Sequence, residues 1–250
     1  MKTKFDFEIM VFPIEKNFAS EDKIEIKDEL VKTIGKIADE NKFEAYVVGG
    51  YVRDLLLGNE VKDVDFLIIG EGLKFAKIVA KYFGKKVTVY AQFRTAMIML
   101  DDRKIEFVGA RKESYRRDSR KPIVEDGTLD DDLARRDFTI NAIAVSINEK
   151  TFGKIIDPFN GREDLKNKII KTPLDPERTF DDDPLRMMRA IRFACQLEFK
   201  IEEKTFEAIK KMKDRISIVS QERITDEFLK IMMAKKPSIG LKLMQETSLM

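Results

Sequence analysis

At 250 residues the chain is long enough for one large or two modest domains around a real core. Its 47 Lys and Arg against 45 Asp and Glu leave a net charge of only +2, so any nucleic-acid footprint must be local. The lack of histidine excludes His triads, His general bases and the usual His zinc sites. The single cysteine, Cys195 in an apolar helical stretch, excludes an intrachain disulfide, suits packing rather than reactivity and fits a reducing, cytoplasmic setting. No run of about eighteen apolar residues marks a membrane span, and Asp6, Glu8 and Pro13 spoil a signal-peptide reading.

In chain order, residues 1–20 form a loosely ordered lead-in, and residues 23–40 carry Ile24, Leu30, Ile34 and Ile37 at helical spacing. Residues 45–48 then read as a strand, followed by a Gly49-Gly50 turn, a helix to about Leu57 and a second strand. On that second strand Asp63 and Asp65 stand two apart and share one face, while Val64, Phe66 and Ile68 take the other. Paired carboxylates repel, and a hard dication such as Mg2+ relieves that. A Gly-Gly turn at a helix N-terminus offers free amides to phosphate, and Arg53 can add charge-assisted bonds to the same anion. Metal ligands beside a polyphosphate cradle suggest nucleotidyl transfer, although a D-x-D pair alone is usually a solvated loop.

Residues 71–83 read as a helix stopped by Gly84, and strands are predicted at 87–90, 96–100 and 104–108. Mixed strands flanked by helices indicate an α/β or α+β domain. Glu106 alternates with Ile105 and Phe107, as a solvent-facing strand residue would. Residues 109–137 read as a polar loop. Its Arg111, Lys112, Arg116, Arg117, Arg120 and Lys121 are either simply solvated or contact nucleotide and RNA phosphates. Arg135 and Arg136 precede a helix-like run with Ile140, Ile143 and Ala144 on its apolar side, for which Asp137 could serve as N-cap. A hairpin over 145–147 and 154–156 follows.

From Arg178 the character changes to helix. Pro184 suits a first turn capped by Asp182 or Asp183, and Arg186, Arg189 and Arg192 step three residues at a time along one face. Asp183 and Arg186 could form only an i,i+3 ion pair worth a few tenths of a kcal/mol, roughly. Hydrogen-bond chemistry offers more. A carboxylate only accepts and a guanidinium only donates, so a fixed Asp–Arg pair matches the amino group and bare ring nitrogen of adenine or cytosine. Guanine and uracil present the reverse and would leave buried partners unpaired. Residues 205–212, 224–233 and the segment after Pro237 continue as helices.

The string GG-x2-RD-x8-DxD over residues 49–65 resembles the signature of the class II tRNA nucleotidyltransferase and bacterial poly(A) polymerase family. RRDFTINAIAV, IDPFNGREDL, Asp182-Asp183-x-x-Arg186 and QERITDEFLKIM extend the resemblance, with Asp182 where Glu is common. The resemblance implies an α+β fold: a polymerase-β-like head over 1–176, then an all-helical neck and the start of a truncated body over 177–250. It implies a two-metal Mg2+ site on Asp63 and Asp65, with Glu106 as the third catalytic carboxylate. It assigns Gly49, Gly50 and Arg53 to the triphosphate. Arg136, Asp137 and Asn141 fall to ribose and phosphate, and Asp183 and Arg186, with Arg189 beside them, to the base. The basic residues 111–121 would meet RNA, and Glu222, Arg223 and Glu227 would be structural. The implied activity is template-independent addition of CMP and AMP, from CTP and ATP, to tRNA 3′ ends. Specialists adding CC, A or poly(A) share these motifs. A small-molecule nucleotidyltransferase and a non-catalytic RNA-binding module are rivals of a different kind.

Overall fold

The computed structural model describes residues 22–91, 94–116 and 119–249. The expected lead-in at 1–20 and Arg117 therefore lie outside the described residues. A seven-stranded sheet in the order β3-β4-β5-β2-β1-β8-β9 organises the first part of the chain. Its strands are β1 (Ala45–Val48), β2 (Val64–Ile68), β3 (Val87–Tyr90), β4 (Thr95–Leu100), β5 (Arg103–Gly109), β8 (Ala144–Ser146) and β9 (Ile155–Ile156). Only β2 and β5 pair in parallel; the other neighbours in this sheet are antiparallel. Helices α1 (Glu29–Glu40) and α3 (Gly72–Tyr82) cover one face, where Phe66 stacks on Phe107 at 5.2 Å and Phe75 meets Phe107 edge-on at 5.7 Å. On the opposite face Tyr46, Val48, Leu67 and Ala144 pack under Leu133 of α4 (Leu129–Ala134). That second face carries the acidic residues.

Three local expectations differ from the structure. The first helix starts at Glu29, because Asp28 caps it by accepting from the Leu30 amide at 3.0 Å. Ile24 and Ile26 belong to an extended segment instead, with the Ile24 amide bonded to the Gly153 carbonyl. The stretch read as a polar loop is a hairpin, β6 (Arg111–Arg116) and β7 (Ser119–Asp126), followed by α4. A Thr128–Asp131 capping box starts that helix. The helix-like run after Asp137 is only a 3₁₀ turn, Thr139–Asn141, leading into β8. Its apolar residues serve the sheet, with Ala144 paired to Val48, and Asp137 caps no helix.

The remainder is helical: α6 (Pro176–Asp182), α7 (Leu185–Leu197), α8 (Glu203–Met212), α9 (Gln221–Met232) and α10 (Pro237–Thr247). The apolar cluster continues from the sheet through Phe138 and Phe180 into Met187, Met188, Ile191 and Ile231. Beyond α5 (Gly161–Lys166), β10 (Ile169–Ile170) pairs in parallel with β11 (Lys200–Ile201), tying the end of the sheet region to the far end of α7.

Candidate active site

The site begins with register. Val48 at the end of β1 lies opposite Asp65 of β2, and Asp65 lies beside Glu106 in the parallel partner β5. The chain leaves β1 through Gly49 at φ 70° and ψ −136°, a conformation closed to residues with a side chain. A Cβ on Gly49 would stand 3.0 Å from Arg136 Nη1 and 3.5 Å from Asp65 Oδ2. The glycine turn, a guanidinium and a carboxylate thus share one place. Asp63 sits one position ahead of β2, exposed. Burial first, then the neighbouring Glu106 charge, push the Asp65 carboxyl above its ordinary value, with Asp63 adding to this and Arg136 and Lys104 opposing it. Glu106 itself is held by an ion pair from Lys104 on the same strand.

Among the described residues no three His, Cys, Asp or Glu side chains form a group that could hold a metal ion unaided. The donor set nevertheless suits Mg2+, which is typically bound through one or two carboxylates while water and substrate phosphates fill its remaining positions. The crowded charge at Asp65 is the feature such a cation would relieve.

Behind the turn, Arg53 of α2 (Gly50–Leu56) holds Asp54 through Nε and Nη2 at 2.9 and 2.7 Å. Its Nη1 donates to Asn141 Oδ1 at 2.9 Å. Asn141 Nδ2 in turn donates to Asp137 Oδ1 at 3.0 Å, and the Phe138 amide reaches the same oxygen at 2.8 Å. Asp137 is 7% exposed, with both oxygens accepting. Burial pushes its carboxyl upward, but Arg189, Asn141 and Arg186 outweigh this and hold it at about 2. Asp137 therefore acts within the site as the internal acceptor that fixes Asn141 and Arg189.

Asp183 ends α6 in extended conformation, and its Oδ1 accepts from the Leu185 amide at 3.2 Å. This is the helix-starting role expected for Asp182 or Asp183. Arg186, 9% exposed, turns toward the sheet region and donates through Nη2 to the Arg135 carbonyl at 2.7 Å. Arg186 is thus joined to the Arg135-Arg136-Asp137 segment, while its own amide bonds to the Asp183 carbonyl at 3.0 Å. Of the basic cluster, Arg111 on β6 pairs with Glu113 at 2.8 Å, Arg116 lies on β6, and Arg120 and Lys121 lie on β7.

Three participants escaped the sequence reading. Asp132 binds both Arg135 and Arg136, and its offsets of three and four residues were the available signal. Lys104 restrains Glu106 from two positions away on the same strand. Phe193 has the guanidiniums of Arg53, Arg189 and Arg192 at 5.2, 5.4 and 4.0 Å from its ring centroid; the offset of four puts Arg189 on its face of the helix, but no spacing reveals Arg53.

Comparison with known proteins agrees with this geometry. Residues 45–171 match the poly A polymerase head domain, and residues 198–250 match the probable RNA and SrmB-binding site of polymerase A. The chain is 40% identical over 228 residues to a CCA-adding enzyme of Ligilactobacillus salivarius, covering 90% of this chain and 54% of that protein. It is 46% identical over 166 residues to an A-adding tRNA nucleotidyltransferase of Aquifex aeolicus, covering 66% of this chain and 20% of that protein. A solved tRNA nucleotidyltransferase complexed with a primer tRNA and an incoming ATP analog superposes with a TM-score of 0.75 at 37% identity. That match covers 86% of this chain and 60% of the other. The Thermotoga maritima CCA-adding enzyme complexed with tRNA superposes with a TM-score of 0.78 at 33% identity, covering 94% and 54%. The chain spans about half the length of the curated CCA-adding relatives it matches, and a fifth of the A-adding one. Among the described residues no helix is long and apolar enough to cross a membrane. With the head-domain match joined to the glycine turn, the strand-borne carboxylates and the Asp183–Arg186 element, the protein belongs to the class II tRNA nucleotidyltransferase and bacterial poly(A) polymerase family.

Proposed function

We propose that the chain carries template-independent nucleotidyl transfer to tRNA 3′ ends, adding CMP and AMP from CTP and ATP in the manner of a CCA-adding enzyme. The observation that carries this reading is the meeting of Asp65, Glu106, Gly49 and Arg136 at one turn, with Arg186 hydrogen-bonded into the same segment. Asp63 and Asp65 would hold Mg2+, with Glu106 as the candidate third carboxylate. A cation held there would lower the pKa of the attacking 3′-hydroxyl and neutralise charge developing on the phosphates. Gly49, Gly50, Arg53 and Arg136 orient the triphosphate through amides and guanidinium donors. Asn141, held by Asp137, completes the sugar and phosphate side. Asp183 and Arg186, with Arg189 behind them, select bases that pair an amino donor with an acceptor nitrogen. The basic hairpin would meet RNA phosphates, and the division of labour would fall near residue 176, in a cytoplasmic setting suited to an unpaired thiol.

Incorporation assays on tRNA ending before CCA, after the first C and after CC, with each nucleotide separately, test the proposal. CMP, CMP and AMP addition respectively are expected. Addition of AMP only to the CC-ending substrate supports the second reading, an A-adding specialist, favoured by the 46% identity to an A-adding relative. Transfer to small hydroxyl compounds but not to RNA would overturn both.

A further inference from the structure

Asp132 lies fully buried in the last turn of α4 and carries two guanidiniums on one carboxylate. Its Oδ1 accepts from Arg135 Nε and Nη2 at 2.9 and 2.5 Å, and its Oδ2 from Arg136 Nε and Nη2 at 3.2 and 2.9 Å. Arg135 has a second carboxylate, Glu113 of the hairpin, at 3.2 Å from its Nη1. Arg136 has no other carboxylate partner among the described residues. Its remaining amine, Nη1, donates to the Asn141 carbonyl at 3.4 Å and stands 3.0 Å from where a Cβ on Gly49 would lie.

Asp65 Oδ2 stands 3.5 Å from that same point. The guanidinium and the carboxylate therefore border one small space at the glycine turn. Yet the ion pair Arg136 closes is with Asp132, not with Asp65. Opposite charges in a partly buried site attract strongly, so a counter-anchor is needed to keep them apart. A planar guanidinium held through two of its nitrogens has its third nitrogen aimed in a fixed direction, which a single-point contact would not achieve.

We propose that Asp132 is a positioning residue that anchors Arg136 away from Asp65, keeping the carboxylate free for a divalent cation while presenting Arg136 Nη1 to the incoming phosphates. This rests on the cation-binding role of Asp65 in the function proposed above. Removing the Asp132 charge releases Arg136 onto Asp65, where it competes with the cation. The loss is thus one of competition at the site, not of folding.

The test is Mn2+ binding to the full chain without nucleotide, followed through the electron paramagnetic resonance signal of free Mn2+, with thermal unfolding in parallel. Asp132→Asn is expected to weaken Mn2+ binding about tenfold. Arg136→Met added to Asp132→Asn should restore wild-type Mn2+ affinity, because the competing cation is gone. A merely structural Asp132 predicts no such rescue. If Asp132→Asn does not fold, Asp132→Ser removes the same charge with a smaller side chain, and the same weakening and the same rescue by Arg136→Met are expected. Unchanged Mn2+ affinity in the folded single variant, or weakening that persists in the double variant, overturns the proposal. If Asp65→Ala leaves Mn2+ binding untouched, the assignment of Asp65 fails and the anchor role falls with it. Weakening by Asp65→Ala without any effect of Asp132→Asn refutes the anchor alone.

Discussion

Arg189 grips Asp137 at two points, with Nε and Nη2 at 2.8 and 2.5 Å from Oδ2, although 52 residues separate them in the chain. The contact ties α7 to the segment that carries Arg136 and Asn141. It also makes acid stability measurable at one residue. The carboxyl sits at about 2 in the folded protein against an ordinary 3.8, so its folded value is depressed. Its contribution is then fully present above about pH 4 and lost as pH falls toward 2, and is worth about 2 kcal/mol. Urea unfolding of wild type and Asp137→Asn should differ by about that amount at pH 6 and converge near pH 2.

Gly49→Ala should cost activity more than stability. The backbone at φ 70° and ψ −136° excludes a side chain, and the new methyl would press within 3.0 Å of Arg136 Nη1. Strain of this kind costs about 1–3 kcal/mol, whereas displacing Arg136 from the turn should lower kcat/KM by about a hundredfold. Steady-state kinetics beside thermal unfolding separate the two effects.

Asp183→Asn should relax base selection. The amide adds donors where only acceptors stood, so the mismatch with guanine and uracil is partly removed. The ratio of CTP to UTP incorporation is expected to fall by about tenfold to a hundredfold. The loss of the charge beside the Leu185 amide should cost about 1 kcal/mol or less of stability. Misincorporation on a tRNA ending before CCA is the readout.

Glu227→Gln should destabilise without touching chemistry. Glu227 on α9 pairs with Arg192 Nε at 2.5 Å, with side-chain exposures of 4% and 11%. Breaking one partner of a buried pair leaves a charge uncompensated and costs about 3 kcal/mol. Arg192→Met combined with Glu227→Met should recover most of that loss in thermal unfolding, since replacing both partners removes the stranded charge.

The legible parts of this protein were those written in fixed spacing. Gly49 and the alternation of Asp65 with Val64, Phe66 and Ile68 announce a turn and a strand because glycine conformation and period-two alternation have few alternative readings, although Asp63 falls one position ahead of the strand. Arg186 and Asp183 could be placed together because a helix start fixes their offset. The segment 139–144 was misread because a short apolar run satisfies helical and strand periods equally, and only pairing with Val48 decides between them, whereas the hairpin expected at 145–147 and 154–156 is present as β8 and β9. The hairpin at 111–126 was hidden because charged residues that elsewhere mark solvent are here neutralised by partners: Glu113 meets both Arg111 and Arg135. Asp132 is passed over for the same reason, although its offsets to Arg135 and Arg136 are in plain view. Burial of a carboxylate depends on what surrounds it, and its two arginines look from sequence like ordinary helix-surface neighbours.

The short pairing of Ile169–Ile170 with Lys200–Ile201 fastens α7 just past its end, and the Arg186 bond to the Arg135 carbonyl fastens it near its start. A helix fastened near both ends is hindered from swinging as a lever. On the function proposed above, choice of nucleobase along it would be a matter of standing geometry. Any adjustment between one accepted base and the next would then come from its approaches, the Asp183 bend and the charged ribbon that leans on Arg135.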